Sequence, residues 1–190
     1  YYASGNSAEQ LSRLPQTKQL RDRGFDVLLL SEQVDEFIPQ TLGKYEEHEL
    51  KNILTDDLEL ATEEEKKAAE EKAETLKPCF DFIKETLGDR VKEVRLSADL
   101  GEHPVSMVPE GGMSFEMEKY FRSLDPNSDF HVGKVLELNA EHPAVAALRE
   151  AVEADPEKAK KYAELLYCQG LLMANLPLED PTAYTDLVCE

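Results

Sequence analysis

The chain has 190 residues, 41% of them hydrophobic, enough for one large core or two modest ones and too many for a disordered polypeptide. Its 40 acidic residues against 21 basic ones leave a formal charge of -19, which repels phosphate backbones and excludes nucleic acid as a natural partner. No apolar run approaches the roughly 20 residues that cross a bilayer, so no membrane partner is expected.

Tyr1-Tyr2-Ala3 reads as the end of a strand running through Ser4-Gly5-Asn6-Ser7 into a helix cap. Ser7 caps a helix reaching about Arg23, with Leu11, Leu14 and Leu20 on its apolar face, and Pro15 predicts a kink or break within it. Gly24 suits the left-handed position after that helix, and the apolar run from Phe25 to Leu30 suits a strand buried on both faces. Strand, helix and strand in this order make a βαβ unit with a parallel pair. A second helix is expected around Asp35 to Leu42 and a short strand around Leu50 to Leu54.

From Thr62 the composition changes. Thr62-Glu63-Glu64-Glu65 is a capping box, and the mixed charges that follow through Glu74 mark the solvated face of a long helix. This is the natural boundary between two domains, 1–61 and 62–190. Leu76, Phe80, Ile83 and Leu87 are spaced for burial, and Gly88 ends the helix. Val91 to Leu96, Val105 to Val108 and Val135 to Leu138 are short strand candidates, with a helix from Met113 to about Leu124 between the last two. Pro143 opens a helix ending near Ala154, and Asp155-Pro156 and Asp180-Pro181 each place an N-cap before a proline at the first helical position. The chain opens without Met and stops inside a helical pattern at Leu187-Val188-Cys189-Glu190, so a fragment of a longer protein is expected. The fold class expected is an α/β subdomain with a small parallel sheet, followed by an α+β domain ending in helices.

Catalytic signatures are missing: there is no phosphate-binding glycine loop, no G-x-G-x-x-G after a strand and no nucleophile elbow, so no catalytic residue is assigned. His48, His103, His131 and His142 stand singly, which leaves no metal site. Cys79, Cys168 and Cys189 lie far apart without ligand or redox spacing, as reduced thiols of a cytoplasmic protein do.

Two apolar features remain. Met113, Met117, Tyr120, Phe121 and Leu124 make one helical stripe, preceded by the hinge-like pair Gly111-Gly112. Such a stripe is either an ordinary core face or a Met-rich surface for many partners. Tyr162, Leu165, Leu166, Leu171, Leu172 and Met173 make a later helix apolar nearly all round, and Tyr184, Leu187 and Val188 line the last one. Two such helices from each of two copies would make a four-helix bundle across a homodimer; packing on the domain's own sheet is the alternative.

The segment Arg23-Gly24-Phe25-Asp26-Val27-Leu28-Leu29-Leu30, then Val34-Asp35-Glu36-Phe37, resembles the ninety-kilodalton heat-shock chaperones, most closely the bacterial high-temperature protein G type. The likeness runs on through Leu87 to Leu96, Met113 to Phe121, Leu136 to His142 and Leu178 to Pro181, in the family's order and spacing across the chain. It implies the end of the middle domain at 1–61 and the C-terminal dimerisation domain at 62–190. It also implies a stress-response chaperone that binds unfolded proteins, with ATP and Mg in an ATPase domain upstream of Tyr1 and no cofactor in this part. Client contacts would fall on Glu36, Phe37 and Gln40 of one helix and on Met113, Met117, Tyr120 and Phe121 of another. The dimer interface would use Tyr162, Leu165, Leu166, Leu172, Met173, Tyr184, Leu187 and Val188. Two other readings stay open: a small-ligand or nucleotide-binding α/β enzyme domain built on the βαβ unit, and a pure dimerisation scaffold without a client site.

Overall fold

The computed structural model describes residues 1–32, 34–56, 58, 63–97, 100–125 and 130–189, without the side chains of 63–66 and 68–70. In chain order the elements are β1 (Tyr2–Ser4), α1 (Ala8–Ser12), α2 (Pro15–Asp22), β2 (Leu28–Leu30), α3 (Phe37–Leu42), β3 (Lys44–Tyr45), β4 (His48–Glu49), α4 (Glu63–Leu87), β5 (Glu93–Leu96), β6 (Val105–Pro109), α5 (Phe115–Leu124), β7 (Lys134–Leu138), α6 (Pro143–Ala154), α7 (Pro156–Met173) and α8 (Pro181–Cys189). They form two compact units, residues 1–59 with 109–133, and residues 60–108 with 134–190. The α/β character expected from the sequence is present as small sheets flanked by helices.

In the first unit β1 and β2 pair in parallel, Tyr2 opposite Leu28 and Ser4 opposite Leu30. Pro15 breaks the expected long helix in two: it becomes the first residue of α2, where its missing N–H deprives no carbonyl. Ser7 stands at the N-cap of α1, but its side chain makes no capping hydrogen bond. Gly24 takes φ 85°, the left-handed geometry expected after α2. The expected strand at Leu50 to Leu54 shrinks to a single bridge: Tyr2 N donates to Lys51 O and Ile53 N donates to Tyr2 O, both at 2.9 Å. The chain then turns away, because Asn52 spends its backbone and side chain on a local turn with Leu54 and Asp56. One sequence expectation fails here. Phe25 is 42% and Leu28 56% exposed, so the run is not buried on both faces, and only Leu28–Leu30 of it is strand.

In the second unit the sheet order is β5-β7-β6, with β5 parallel to β7 and Val94 opposite Leu136. The buried face of α4 is the expected one, with Leu76, Phe80, Ile83 and Leu87 joined by Cys79, and Gly88 ends it at φ 58°. The helix continues through Pro78, which interrupts one backbone hydrogen bond near its middle. The Thr62 capping box lies outside the described residues. Helices α6 and α7 complete this core with Val145, Leu148, Ala159, Ala163, Leu166, Tyr167 and Leu171. A Cβ at Gly170 would sit 3.2 Å from Leu136 Cδ1 and 3.4 Å from Met107 Cε, so the glycine lets α7 approach the sheet closely.

Candidate functional site

Helix α3 is entered through a series of tight turns, Asp35 N to Glu32 O, Phe37 N to Val34 O and Ile38 N to Asp35 O. Pro39 is its third residue, still within the first turn, where the lost N–H would have had no intrahelical acceptor. Gly43 ends it at φ 65°, donating to Pro39 O at 2.7 Å. Helix α5 starts two residues later than the sequence pattern suggested. Ser114 is its cap, its Oγ accepting from Met117 N at 3.1 Å, so Met113 stands just outside the helix instead of on its stripe. Glu116 and Glu118 sit in the first turn and Arg122 in the last, both favourable to the helix dipole. The segment carrying α5 is closed at its base by Glu110 N donating to Gly133 O at 2.7 Å.

The two short helices meet within the first unit. Phe37 packs edge-to-face on Tyr120 at 5.1 Å, Tyr120 on Phe121 at 5.9 Å, and Phe121 on Phe130 at 5.9 Å, an aromatic row across both helices and the segment that leads back to β7. The Gln40 amide Nε2 lies 3.1 Å from the Met117 thioether and donates to it. Glu118 anchors the return, accepting from Val132 N at 3.0 Å and facing His131 Nδ1 at 3.3 Å. Of the seven client residues expected from the resemblance, Gln40 and Phe121 are exposed, and Phe37, Met113 and Tyr120 half-buried. Glu36 and Met117 are buried at 2% and 8% exposure. Sequence reasoning missed three participants: Ser114, which its position before a helical pattern would have marked as a cap, Phe130, and Ser4 from the first strand.

Glu36 is the unusual member. Neither of its carboxyl oxygens makes a hydrogen bond of normal geometry. Burial pushes the carboxyl above its ordinary pKa, the Ser114 and Ser4 hydroxyls pull the other way, and the Glu116 carboxylate adds to the rise. The same helix borders an apolar hollow of about 200 Å³ lined by Leu28, Leu30, Ile38, Pro39, Leu42, Tyr45 and Leu50. Such walls suit apolar contact and offer nothing for a phosphate.

The turn after β1 does not fit a nucleotide. A Cβ at Gly5 would sit 2.9 Å from Leu11 Cδ2, so the space this glycine opens is filled by the protein's own leucine. Among the described residues no group of His, Cys, Asp and Glu could hold a metal ion, and no helix is long and apolar enough to cross a membrane.

In the second unit the residues expected at a dimer interface divide. Leu166 is buried at 3% exposure within its own unit, while Leu172 is 49% and Val188 58% exposed. Tyr162, Leu165, Met173, Tyr184 and Leu187 are half-buried, and α8 has no buried residue among those described. Helix α7 thus has one face in its own core and a second, apolar, outside it.

The Hsp90 protein family model matches residues 1–190. The chain is 43% identical to the Chaperone protein HtpG of Natranaerobius thermophilus over 190 residues, covering 100% of this chain and 30% of that protein. It is 38% identical to the Chaperone protein HtpG of Bacillus subtilis over 190 residues, again 100% of the chain and 30% of the relative. With that of Clostridium acetobutylicum it shares 40% over 186 residues, 98% of the chain and 30% of the relative. The chain therefore spans 30% of the length of these curated relatives. The chain belongs to the Hsp90 protein family.

Proposed function

We propose that this chain is the client-gripping and self-associating part of an ATP-dependent molecular chaperone that assists protein folding in the cytoplasm under stress. Residues 1–61 are the last α/β part of the middle domain and 62–190 the C-terminal dimerisation domain. ATP and Mg would act in another part of the longer protein; this chain is no enzyme itself. The relatives compared above are each a Chaperone protein HtpG, which supports this reading. The observation that carries it is the row Phe37, Tyr120, Phe121 and Phe130 with Met117 and Gln40 beside it. Exposed aromatic edges without convergent polar groups grip many apolar sequences and select none, and the buried Met117 thioether holds together the two helices that carry them. The high negative charge keeps such a surface soluble.

Self-association runs through α7 and α8, whose outer residues Tyr162, Leu165, Leu172, Met173, Tyr184, Leu187 and Val188 stay outside the unit's core. Four such helices from two copies make a bundle that covers them, with Leu166 contributing from the inner side. The test is binding of a labelled, permanently unfolded polypeptide to the wild-type chain and to Phe121→Glu, beside sedimentation of both. Equal binding by the two would leave a dimerisation scaffold without a client site, and a monomeric wild type at tens of micromolar would end the bundle assignment.

A further inference from the structure

The connection between α7 and α8 is fixed at three points. Helix α7 ends in a double terminus: Leu176 N donates to Leu171 O at 2.8 Å and Asn175 N to Leu172 O at 3.1 Å, with Asn175 left-handed at φ 54°. Helix α8 begins on a carboxylate cap, Asp180 Oδ1 accepting from Thr182 N and Ala183 N, each at 3.0 Å. Between these, Glu179 Oε1 accepts from the buried Tyr167 hydroxyl at 3.0 Å, and Glu179 Oε2 lies 4.0 Å from Arg90 Nη1.

Arg90 gathers the rest. Both arms of its guanidinium hold Glu164, one of them through Nη1 to Oε2 at 2.8 Å, and its Nε donates to Leu87 O at 3.2 Å at the end of α4. Its guanidinium carbon lies 5.0 Å from the centre of the Tyr167 ring. Burial, then the Glu179 carboxylate, raises the Tyr167 phenol above its ordinary pKa, so the hydroxyl remains a donor across the working pH range. Four side chains therefore tie the end of α4 and the middle of α7 to the residue just before the α8 cap.

Neither the sheet core nor the outer apolar stripes require this network. The Arg90–Glu164 pair is a third exposed on each side, so ion pairing there adds little stability of its own. What it supplies is geometry. Helix α8 has no buried residue among those described, so burial of its own side chains does not hold it in place. Leu165 and Leu172 on α7 can act with Leu187 and Val188 on α8 as one surface only if the loop between the helices is held.

We infer that Arg90, Glu164, Tyr167 and Glu179 are positioning residues that set the direction of α8 and so preorganise the surface on which a second copy of this chain docks. A loop ordered in advance lowers the ordering cost of association, which appears as affinity. The inference rests on the self-association reading above, and the experiment separates the two.

The 190-residue chain is compared with Tyr167→Phe, Glu179→Ala and Glu179→Gln, and with Glu157→Gln as control, whose partner Lys160 is on the exposed side of the same helix. Sedimentation reads the dimer dissociation constant, and amide exchange reads residues 181–189. Glu179→Ala and Tyr167→Phe are expected to weaken the dimer about tenfold and to speed exchange in α8, the size of one lost charge-assisted hydrogen bond. Glu179→Gln keeps an acceptor for the hydroxyl and is expected to recover most of the loss, with thermal unfolding little changed. Because the Glu179 side chain is 53% exposed, Glu179→Ala stays informative even if Tyr167→Phe misfolds. Wild-type affinity and wild-type α8 exchange in Glu179→Ala would overturn the inference. A wild-type chain that never dimerises would overturn the self-association reading instead. In that case faster α8 exchange in Glu179→Ala still supports the positioning role, and unchanged exchange removes it.

Discussion

Placing a carboxylate at Met117 and at Phe121 separates the buried from the exposed side of α5. Met117 is 8% exposed and Phe121 37% exposed. At Met117 the substitution gives up nearly all of a Met burial, about 2–3 kcal/mol. The new carboxyl then faces the Gln40 amide, and either takes up a proton or stays charged at a further cost of about 1–3 kcal/mol. The total is about 4 kcal/mol, enough to unfold a marginal unit. At Phe121 the ring is more than a third exposed and the carboxylate reaches water, so the loss is part of one burial plus the edge contacts to Tyr120 and Phe130, about 1–2 kcal/mol. Urea unfolding followed by circular dichroism reads the difference as a midpoint gap of about 1 M or more, for a slope of about 2 kcal/mol/M. Phe121→Glu is expected to stay folded and to lose several-fold in affinity for an unfolded polypeptide, measured by fluorescence anisotropy. Three results would refute the reasoning: both variants unfolding with the wild type, both unfolding alike well below it, or Phe121→Glu binding unfolded polypeptide as the wild type does.

For Glu36, whose pKa is raised in the folded state by burial, the folded chain holds its proton to higher pH than the unfolded chain. Stability is therefore lost as pH rises from the ordinary glutamate value through the raised one, and Glu36→Gln should remove that loss and stabilise the chain at pH 7. A wild-type stability that rises over this window relative to Glu36→Gln would contradict it. At the proposed interface, Leu166→Ala should cost about 2–4 kcal/mol in unfolding because Leu166 is 3% exposed. Leu172→Asp, at a position 49% exposed, should leave unfolding within about 0.5 kcal/mol and turn a light-scattering dimer into a monomer. Burial pushes the Cys79 thiol up to about 11, so a disulfide reagent at pH 8 should label exposed Cys189 quickly and Cys79 only on unfolding; equal rates would show that the α4 face is open.

Helices α6, α7 and α8 were legible because each carries its own punctuation. His142, Asp155 and Asp180 accept from backbone amides at helix starts, and a proline follows each of them. Strand order was not legible. Glu93 pairs in parallel with Val135 across α5 and its flanking loops, and nothing local specifies such a partner. The failure at Phe25 to Leu30 has the same origin: an apolar run states that a strand wants cover on both faces, not whether this chain supplies it. At Leu50 to Leu54 the side chain of Asn52 claimed the backbone of its neighbours, and a turn displaced the strand.

The site shows the same division more sharply. Helical spacing joined Met113, Met117, Tyr120, Phe121 and Leu124 into one stripe, yet the structure gives them different fates. Ser114 caps the helix and leaves Met113 outside it, Met117 turns inward, and Leu124 is 66% exposed. Periodicity fixes which residues share a face but not how much of that face a neighbour covers, and α3 covers only the part facing Phe37 and Gln40. The contribution of Glu36, Phe37 and Gln40 came from resemblance, because six helical residues interrupted by a proline carry no readable pattern of their own. Their meeting with α5 is a tertiary fact between segments some 77 residues apart. On the proposed client-binding role, the exposed Gln40 and Phe121 would meet a partner, while the buried Met117 holds the two helices together.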